Sequence, residues 1–242
     1  MSICMDHYCA DERLILGAHV VPGHWLLQGG TTGGGGVMRW LEKEFGDWER
    51  EEGKRRGVSS LDLMNEEAKV IPAGSDGVVF LPYMSGERSP IWDPDAKGVY
   101  YGLDFSKKKG HLIRAAMEGT AYALKHNLEA AEEAGAKVEV LKAMGGAANS
   151  PLWTQIKSDV TGKNMEVPSS DTATTLGAAL LAGVGVGMYE SFEEAVEKTV
   201  NKGRVHTPNV EHKEIHEKNY ETYRALYEQL KSLMKKTGGK KQ

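Results

Sequence analysis

The feature that most constrains the fold is the glycine-containing segment from Met144 to Ser150, which follows a predicted strand and precedes a predicted helix. In α/β folds, ligands bind at the carboxyl ends of strands. Adjacent glycines there let a flat ring lie against the backbone, because no Cβ atom intervenes. The residues alone leave two interpretations open. One is a ligand-binding loop, and the other is a tight strand-to-helix turn in which Asn149 or Ser150 is an ordinary helix cap.

The rest of the chain alternates between strand and helix patterns, which predicts an α/β fold. The predicted strands are 20–21, 25–27, 78–81, 138–143 and 164–167. The predicted helices are 37–45, an exposed one at 47–57, 59–68, 111–134, 150–160, 174–186, one after Ser191, and 211–235. Residues 82–97 form a long loop with three prolines, Pro82, Pro90 and Pro94. Loops of this length inside a compact domain are usually functional or disordered.

A run of four glycines, Gly33–Gly36, precedes the helix predicted from Val37. Such a run allows a ligand to approach the backbone, and the N-terminus of a helix favours an anion. The run is not a P-loop, because Gly36 is followed by Val37 rather than by Lys and Ser or Thr. The residues alone favour a flexible turn slightly over a nucleotide contact.

Composition excludes several classes of protein. Charged residues make up 26% of the 242 residues and the net charge is −4, so the clustered basic surface that nucleic acids require is missing. No apolar stretch approaches the roughly 20 residues that a membrane helix needs. Cys4 and Cys9 lack a second cysteine pair for a zinc site and predict free thiols in a reducing compartment. We therefore predict a cytoplasmic protein that binds neither nucleic acid nor membrane.

Several acidic and histidine residues were weighed as chemical groups. His212 and His216 are four residues apart on a predicted helix, but Lys213 replaces the Glu of a His-Glu-x-x-His metal site. A solvated helix face is the favoured interpretation, and no metal ligand is predicted. Asp159 is predicted to be structural and Asp171 to cap a helix. No residue is predicted to be catalytic.

Five segments together resemble a known family. They are the helix of Trp40 with its preceding glycines, the Gly-Glu-Arg-Ser-Pro loop at 86–90 with 92–98, the segment 98–118, the loop and helix at 145–159, and 174–182. They resemble the C-terminal domain of the FGGY carbohydrate kinases, and most closely the xylulokinase branch. The resemblance implies the C-terminal lobe of an actin-like, ribonuclease H-like ATPase fold. Residues 1–235 would form this nucleotide-binding domain and 236–242 a lysine-rich tail.

The resemblance also implies a strand at Met1–Met5 and several functional residues. The residues implied to hold ATP or ADP are Gly35, Arg39, Gly145, Gly146, Asn149 and Ser150. The residues implied to face the substrate cleft are Glu87, Arg88 and Asp93, for which a loop-bracing role is an equal alternative. Mg²⁺ would accompany the nucleotide.

The function implied by the resemblance is ATP-dependent phosphorylation of a hydroxyl on a xylulose-like sugar or polyol. The catalytic aspartate, the phosphate loop and the N-terminal sugar-binding lobe of the family precede the region that this chain matches. The chain alone is therefore expected to be inactive. The alternative is a non-catalytic lobe that binds nucleotide or protein, or one subunit of a split kinase. Its partner would be an N-terminal-lobe polypeptide or a second copy of this chain.

Overall fold

The computed structural model describes residues 1–169 and 173–237. Its strands are Ser2–Met5 (β1), Ile15–Ala18 (β2), Trp25–Gln28 (β3), Val79–Leu81 (β4), Val99–Tyr101 (β5), Val140–Lys142 (β6), Asn164–Pro168 (β7) and Lys202–His206 (β8). Its helices are Gly34–Phe45 (α1), Asp47–Arg56 (α2), Ser60–Lys69 (α3), Lys109–Glu133 (α4), Pro151–Thr161 (α5), Ala173–Gly185 (α6), Phe192–Thr199 (α7) and Lys213–Thr237 (α8). This mixture confirms the predicted α/β class.

The first sheet has the order β1-β3-β2 and is antiparallel throughout. The strand implied at Met1–Met5 is confirmed, but the prediction of a strand at Val20 and Val21 is wrong. Ala18 pairs with Trp25, so residues 19–24 form the connection between β2 and β3. The valines lie in this turn, where the backbone N–H of His24 donates to the carbonyl oxygen of Val21 at 3.3 Å.

The other strands form two small sheets. β4 and β5 pair as antiparallel neighbours, while β6 pairs in parallel with β7 and β7 pairs antiparallel with β8. The strand β8 was not predicted from the sequence. Its segment Lys-Gly-Arg-Val-His has one large apolar residue and a glycine, so it lacks the alternation typical of strands. Gly203 is required because an added Cβ would lie 2.5 Å from the carbonyl oxygen of Val167.

Helix α4 is the centre of the main core. The sequence predicts one apolar face, whereas residues 110–123 are buried nearly throughout because α3, α5 and β4 pack around them. The largest buried side chains of this core are Phe80, Leu81, Tyr83, Ile113, Met117, Tyr122, Ile156 and Tyr223. A second, smaller cluster lies under the first sheet and includes Leu27, Ala130 and Ala131.

A buried ion pair on α4 stabilises the turn that precedes β4. The Nε atom of Arg114 donates to Oε1 of Glu118 at 2.9 Å, and Glu118 is 1% exposed. The same carboxylate accepts from the backbone N–H of Gly74 at 2.9 Å and from the hydroxyl of Ser75 at 2.8 Å. Arg114 also donates to the carbonyl of Ile71 at 2.9 Å. This buried network therefore satisfies polar groups of a turn with positive φ angles.

Lys109 forms ion pairs with two glutamates, Glu49 and Glu67, where α2, α3 and α4 meet. Glu49 is fully buried and pairs with Lys109, and Oε1 of Glu67 lies 3.5 Å from Nζ of Lys109. Burial and the neighbouring Glu49 carboxylate raise the pKa of Glu67 from an ordinary 4.5 to about 7. Between pH 4.5 and about 7, Glu67 therefore keeps its proton in the folded chain and loses it in the unfolded chain. The free energy of unfolding should fall as pH rises through this window.

We expect Glu67→Gln to remove this dependence. Above about pH 7 the variant should be more stable than the original chain by about 1–3 kcal/mol, since one pKa unit corresponds to about 1.4 kcal/mol and the partial exposure of Glu67 reduces the effect. Near pH 3.5 the two chains should be about equally stable, because Glu67 is then largely protonated in both the folded and the unfolded state. Urea unfolding at both pH values measures the difference. A variant that is less stable at high pH would contradict the assignment.

Within the described residues, none of the helices combines the length and hydrophobicity needed to cross a bilayer. Helix α8 continues through Lys236 and Thr237, so the first two residues of the predicted tail are helical. Asp171, predicted to cap a helix, and residues 238–242 of the predicted tail lie outside the described residues.

Candidate functional site

The glycine-containing segment after β6 forms a loop that leads into α5. Gly145 has a φ of 79°, a conformation that residues with a Cβ rarely adopt. Gly146–Asn149 then forms one turn of 3-10 helix. The Oγ atom of Ser150 accepts from the backbone N–H of Trp153 at 3.1 Å, so Ser150 is the helix cap rather than Asn149. Ser150 also donates to Oδ1 of Asn65 at 3.1 Å, which leaves it little freedom to bind a ligand.

Arg204, which was not predicted from the sequence, fixes the backbone of this loop by hydrogen bonding. Arg204 on β8 donates from Nη2 to the carbonyl oxygen of Ala148 at 2.5 Å, and from Nε to Nε2 of His206 at 2.8 Å. The side chain of Asn149, by contrast, is exposed and makes no hydrogen bond with the part of the chain that the structure describes. The loop backbone is therefore fixed, whereas the amide of Asn149 is free to contact a ligand.

The glycine run begins α1 instead of preceding it. The helix starts at Gly34, three residues before the predicted start, so Gly34, Gly35 and Gly36 form its first turn. Gly33 has no room for a side chain, because a Cβ would lie 2.0 Å from the carbonyl oxygen of Pro82. At the next three glycines a Cβ would meet no protein atom within 4 Å. No side chain caps the start of the helix and its first turn contains no acidic residue, so the N–H groups of this turn have no side-chain acceptor within the described residues.

The glycine-run helix and the loop after β6 meet at one cavity of about 730 Å³. Five of the six residues predicted to hold a nucleotide lie along it, namely Gly35, Arg39, Gly146, Asn149 and Ser150. The sixth, Gly145, lies on an adjoining cavity of about 410 Å³ that Arg204 also lines. Arg39 is 78% exposed, and its nearest carboxylate is Glu42 at 4.0 Å. The predicted residues thus line one cavity, although Gly35 and Gly146 are more than 100 positions apart in the sequence.

Two further parts of the cavity wall were not identified from the sequence. Helix α3 contributes Asp62 and Asn65, and α4 contributes Met117. The indole N–H of Trp153 donates to Oγ1 of Thr120 at 3.0 Å, which fixes the ring as part of the apolar floor. Only the tertiary packing of α3 against α4 brings Asp62 and Asn65 here, so no local sequence pattern could have identified them.

Of the three predicted cleft residues, Glu87 and Asp93 stabilise the 82–97 loop, whereas Arg88 forms no ion pair within the described residues. Glu87 is buried and accepts from Oγ1 of Thr31 at 2.6 Å and from the backbone N–H of Thr32 at 2.8 Å. Burial raises the pKa of Glu87, and these donors oppose the shift. Asp93 accepts from the hydroxyl of Tyr227 at 2.8 Å. Both carboxylates therefore brace the 82–97 loop.

Arg88 differs from these two carboxylates. It is exposed, and its guanidinium carbon lies 5.8 Å from the centre of the Trp92 ring. Among the residues that the structure describes, no carboxylate forms an ion pair with it. Of the three predicted cleft residues, Arg88 is thus the one whose charge is available to a substrate.

The prediction that His212 and His216 lie on a solvated helix face is wrong. His216 is 2% exposed, because its ring packs against Tyr122 and its Nδ1 lies 3.2 Å from the Tyr122 hydroxyl. His212 places Nδ1 2.8 Å from Oδ2 of Asp159. This burial could not be predicted from the local pattern, because Tyr122 and Asp159 reach these histidines only in the folded chain.

Comparisons with known proteins agree with the fold. Residues 9–186 match the model of the FGGY family of carbohydrate kinases, C-terminal domain. The chain is 37% identical over 212 residues to a gluconokinase of Bacillus subtilis, covering 87% of this chain and 40% of that protein. It is 30% identical over 223 residues to a xylulose kinase of Staphylococcus epidermidis, covering 92% and 43%.

The structural comparison gives the same result. The crystal structure of xylulose kinase from Rhodospirillum rubrum superposes with a TM-score of 0.84 at 29% identity, covering 96% of this chain and 45% of that one. The chain therefore spans less than half the length of these relatives. The predicted actin-like lobe is confirmed by this likeness. By its sequence and its fold, the chain belongs to the FGGY family of carbohydrate kinases and corresponds to their C-terminal domain.

Proposed function

We propose that this chain supplies the ATP- and ADP-binding lobe of a carbohydrate kinase that phosphorylates a hydroxyl of a sugar or polyol. The observation that supports this most strongly is the shared cavity of the glycine-run helix and the loop after β6. Its volume of about 730 Å³ lies within the range of roughly 300–1,000 Å³ typical of small-molecule sites. The residues present therefore fit a nucleoside phosphate.

The cavity has an apolar part suited to a purine base. Met38, Leu61, Met117 and Trp153 supply this part. Gly146 leaves open space above it, since a Cβ there would meet no protein atom within 4 Å. A flat base could therefore lie against the loop backbone, with the free amide of Asn149 as a hydrogen-bonding partner for its polar edge.

The opposite end of the cavity is suited to phosphate groups. The first turn of α1 offers unpaired N–H groups, and its macrodipole favours an anion there. Arg39 follows one turn later and adds a positive charge that is 78% exposed. Mg²⁺ would accompany the phosphates in the usual manner of phosphoryl transfer, in which positioning and charge stabilisation do most of the catalytic work.

The sugar would meet this lobe at the 82–97 loop. Arg88 is the residue we propose as its contact, because Glu87 and Asp93 are occupied by bracing hydrogen bonds. The matched relatives include both gluconokinase and xylulose kinase, so a linear sugar or sugar acid is the proposed substrate class. The remaining sugar contacts and the general base belong to the part of the relatives that this chain does not span. The free thiols of Cys4 and Cys9 favour a cytoplasmic location.

The test is a calorimetric titration of ADP with Mg²⁺ into the purified chain. We expect saturable binding with one site. Asn149→Ala should weaken it about twofold to tenfold, because a single hydrogen bond contributes about 0.5–1.5 kcal/mol. Asn201→Ala, in a loop that lines none of the cavities described above, is the control. A folded chain that gives no heat with ADP would contradict the proposal that this lobe binds nucleotide on its own.

A further inference from the structure

Three potential metal ligands from two helices converge on the side of α5 that faces α8. Asp159 lies on α5, His216 lies on α8, and His212 lies immediately before α8. Each offers one ligand atom, and these atoms all lie within 4.8 Å of one another. Within residues 1–169 and 173–237 this is the only such group of three or more.

One nitrogen of this group lacks a hydrogen-bond partner. Nε2 of His216 is buried and makes no hydrogen bond, although Nδ1 of the same ring contacts the Tyr122 hydroxyl. An unpaired buried polar atom costs about 1–3 kcal/mol, so it calls for an explanation. If Nδ1 donates to Tyr122, the tautomer leaves a lone pair on Nε2. This is how a histidine is oriented when its other nitrogen binds a metal.

The remaining ligands are positioned by the protein in advance. Oδ1 of Asp159 accepts from the backbone N–H of Asn209 at 2.9 Å and from Nε2 of Gln155 at 2.7 Å. These bonds fix the carboxylate and leave Oδ2 to face His212 at 2.8 Å. A simple Asp–His hydrogen bond explains that pair. It does not account for the unpaired Nε2 of His216, a residue that offers a ligand atom within 4.8 Å of this pair.

We propose that Asp159, His212 and His216 bind one divalent transition-metal ion of the Zn²⁺ class. Two imidazoles and a carboxylate are ligands that Zn²⁺ prefers, at bond lengths of about 2.0–2.2 Å. In a tetrahedral site ligand atoms are about 3.4 Å apart, so the 2.8 Å pair of His212 and Asp159 must separate by about 0.6 Å, while the longest separation, up to 4.8 Å, must close by up to about 1.4 Å. The fourth position opens toward a cavity of about 380 Å³, where water can complete the coordination.

The ion would connect two elements that otherwise meet mainly through side-chain packing. α5 begins at the loop beside the nucleotide cavity, and Asp159 lies nine residues after its cap, or about 13 Å along the axis. A metal at this point would fix α8 against the far end of that helix. The proposed role is therefore structural, and it does not depend on the proposed nucleotide site.

The test uses the metal ion alone. The chain is dialysed against a chelator and titrated with Co²⁺, whose visible absorption reports four-coordinate geometry, and then with Zn²⁺. We expect one Co²⁺ per chain, displacement by Zn²⁺, and a higher melting temperature with Zn²⁺. His212→Gln should weaken binding at least tenfold and abolish the shift in melting temperature. His212 is the chosen position because it is partly exposed, so the variant should fold.

His24→Gln is the matched control. The rings of His19 and His24 are 6.2 Å apart, the same separation as those of His212 and His216, but they belong to no group of three ligands. This variant should bind Co²⁺ as the original chain does. The proposal is overturned if the chain takes up no stoichiometric metal. It is also overturned if His212→Gln binds as tightly as the original chain, or if His24→Gln loses binding equally.

Discussion

Replacing Gly146 by valine is expected to weaken ADP binding at least tenfold without lowering the melting temperature. A Cβ at this position meets no protein atom within 4 Å, and the φ angle of Gly146 is not positive, so the folded chain has room for the side chain. The valine would instead occupy the cavity beside Asn149. Overlap with a few ligand atoms costs about 1–3 kcal/mol, and each 1.4 kcal/mol is tenfold in affinity. We therefore expect a loss of at least tenfold by calorimetry.

Gly17→Val is the matched control for this substitution. Gly17 lies on β2, and its added Cβ also meets no protein atom within 4 Å. It lines none of the cavities described above, so ADP should bind as before. Equal loss in both variants would mean that valine acts through general destabilisation. Unchanged binding in Gly146→Val would remove this loop from the nucleotide site.

The second large effect is expected at Glu118. Its carboxylate accepts from Arg114, Gly74 and Ser75 in the interior. Glu118→Ala would leave the Arg114 guanidinium buried without its counter-charge and two donors of the turn without an acceptor. Breaking a buried ion pair in this way costs about 3–5 kcal/mol. Urea unfolding followed by tryptophan fluorescence should show a loss of stability of this size.

Glu133→Ala tests whether burial is the cause. Glu133 is on the same helix and pairs with Arg13 at 2.6 Å, but its side chain is 64% exposed. Exposed ion pairs contribute about 0–1 kcal/mol, so this variant should be nearly as stable as the original chain. Similar losses for the two variants would show that the Glu118 network contributes no more than a surface pair.

The structure could be predicted from the sequence wherever a local pattern of residues determines it. α4 was predicted within two residues at its start because its apolar residues repeat at helical spacing over seven turns. The loop after β6 was predicted because a strand, two glycines and a helix cap follow one another directly. Its resemblance to the family then linked Gly35 and Arg39 to Gly146, and the fold places these residues along one cavity.

The structure could not be predicted from the sequence where contacts between distant segments determine it. β8 forms because its backbone pairs with β7, not because its own residues favour a strand. His216 is buried because Tyr122, 94 positions away, packs against it. The two interpretations of Glu87 could be separated only once Thr31 and Thr32 were seen to donate to its carboxylate.

The contacts of Glu87 have a dynamic consequence. One carboxylate joins the segment just before α1 to the 82–97 loop, through the hydroxyl of Thr31 and the backbone amide of Thr32. If the loop swings away, that amide loses its acceptor and becomes open to solvent exchange. The start of α1 and the 82–97 loop should therefore open together, and the hydrogen-exchange protection of the Thr32 amide proton should report their closed state.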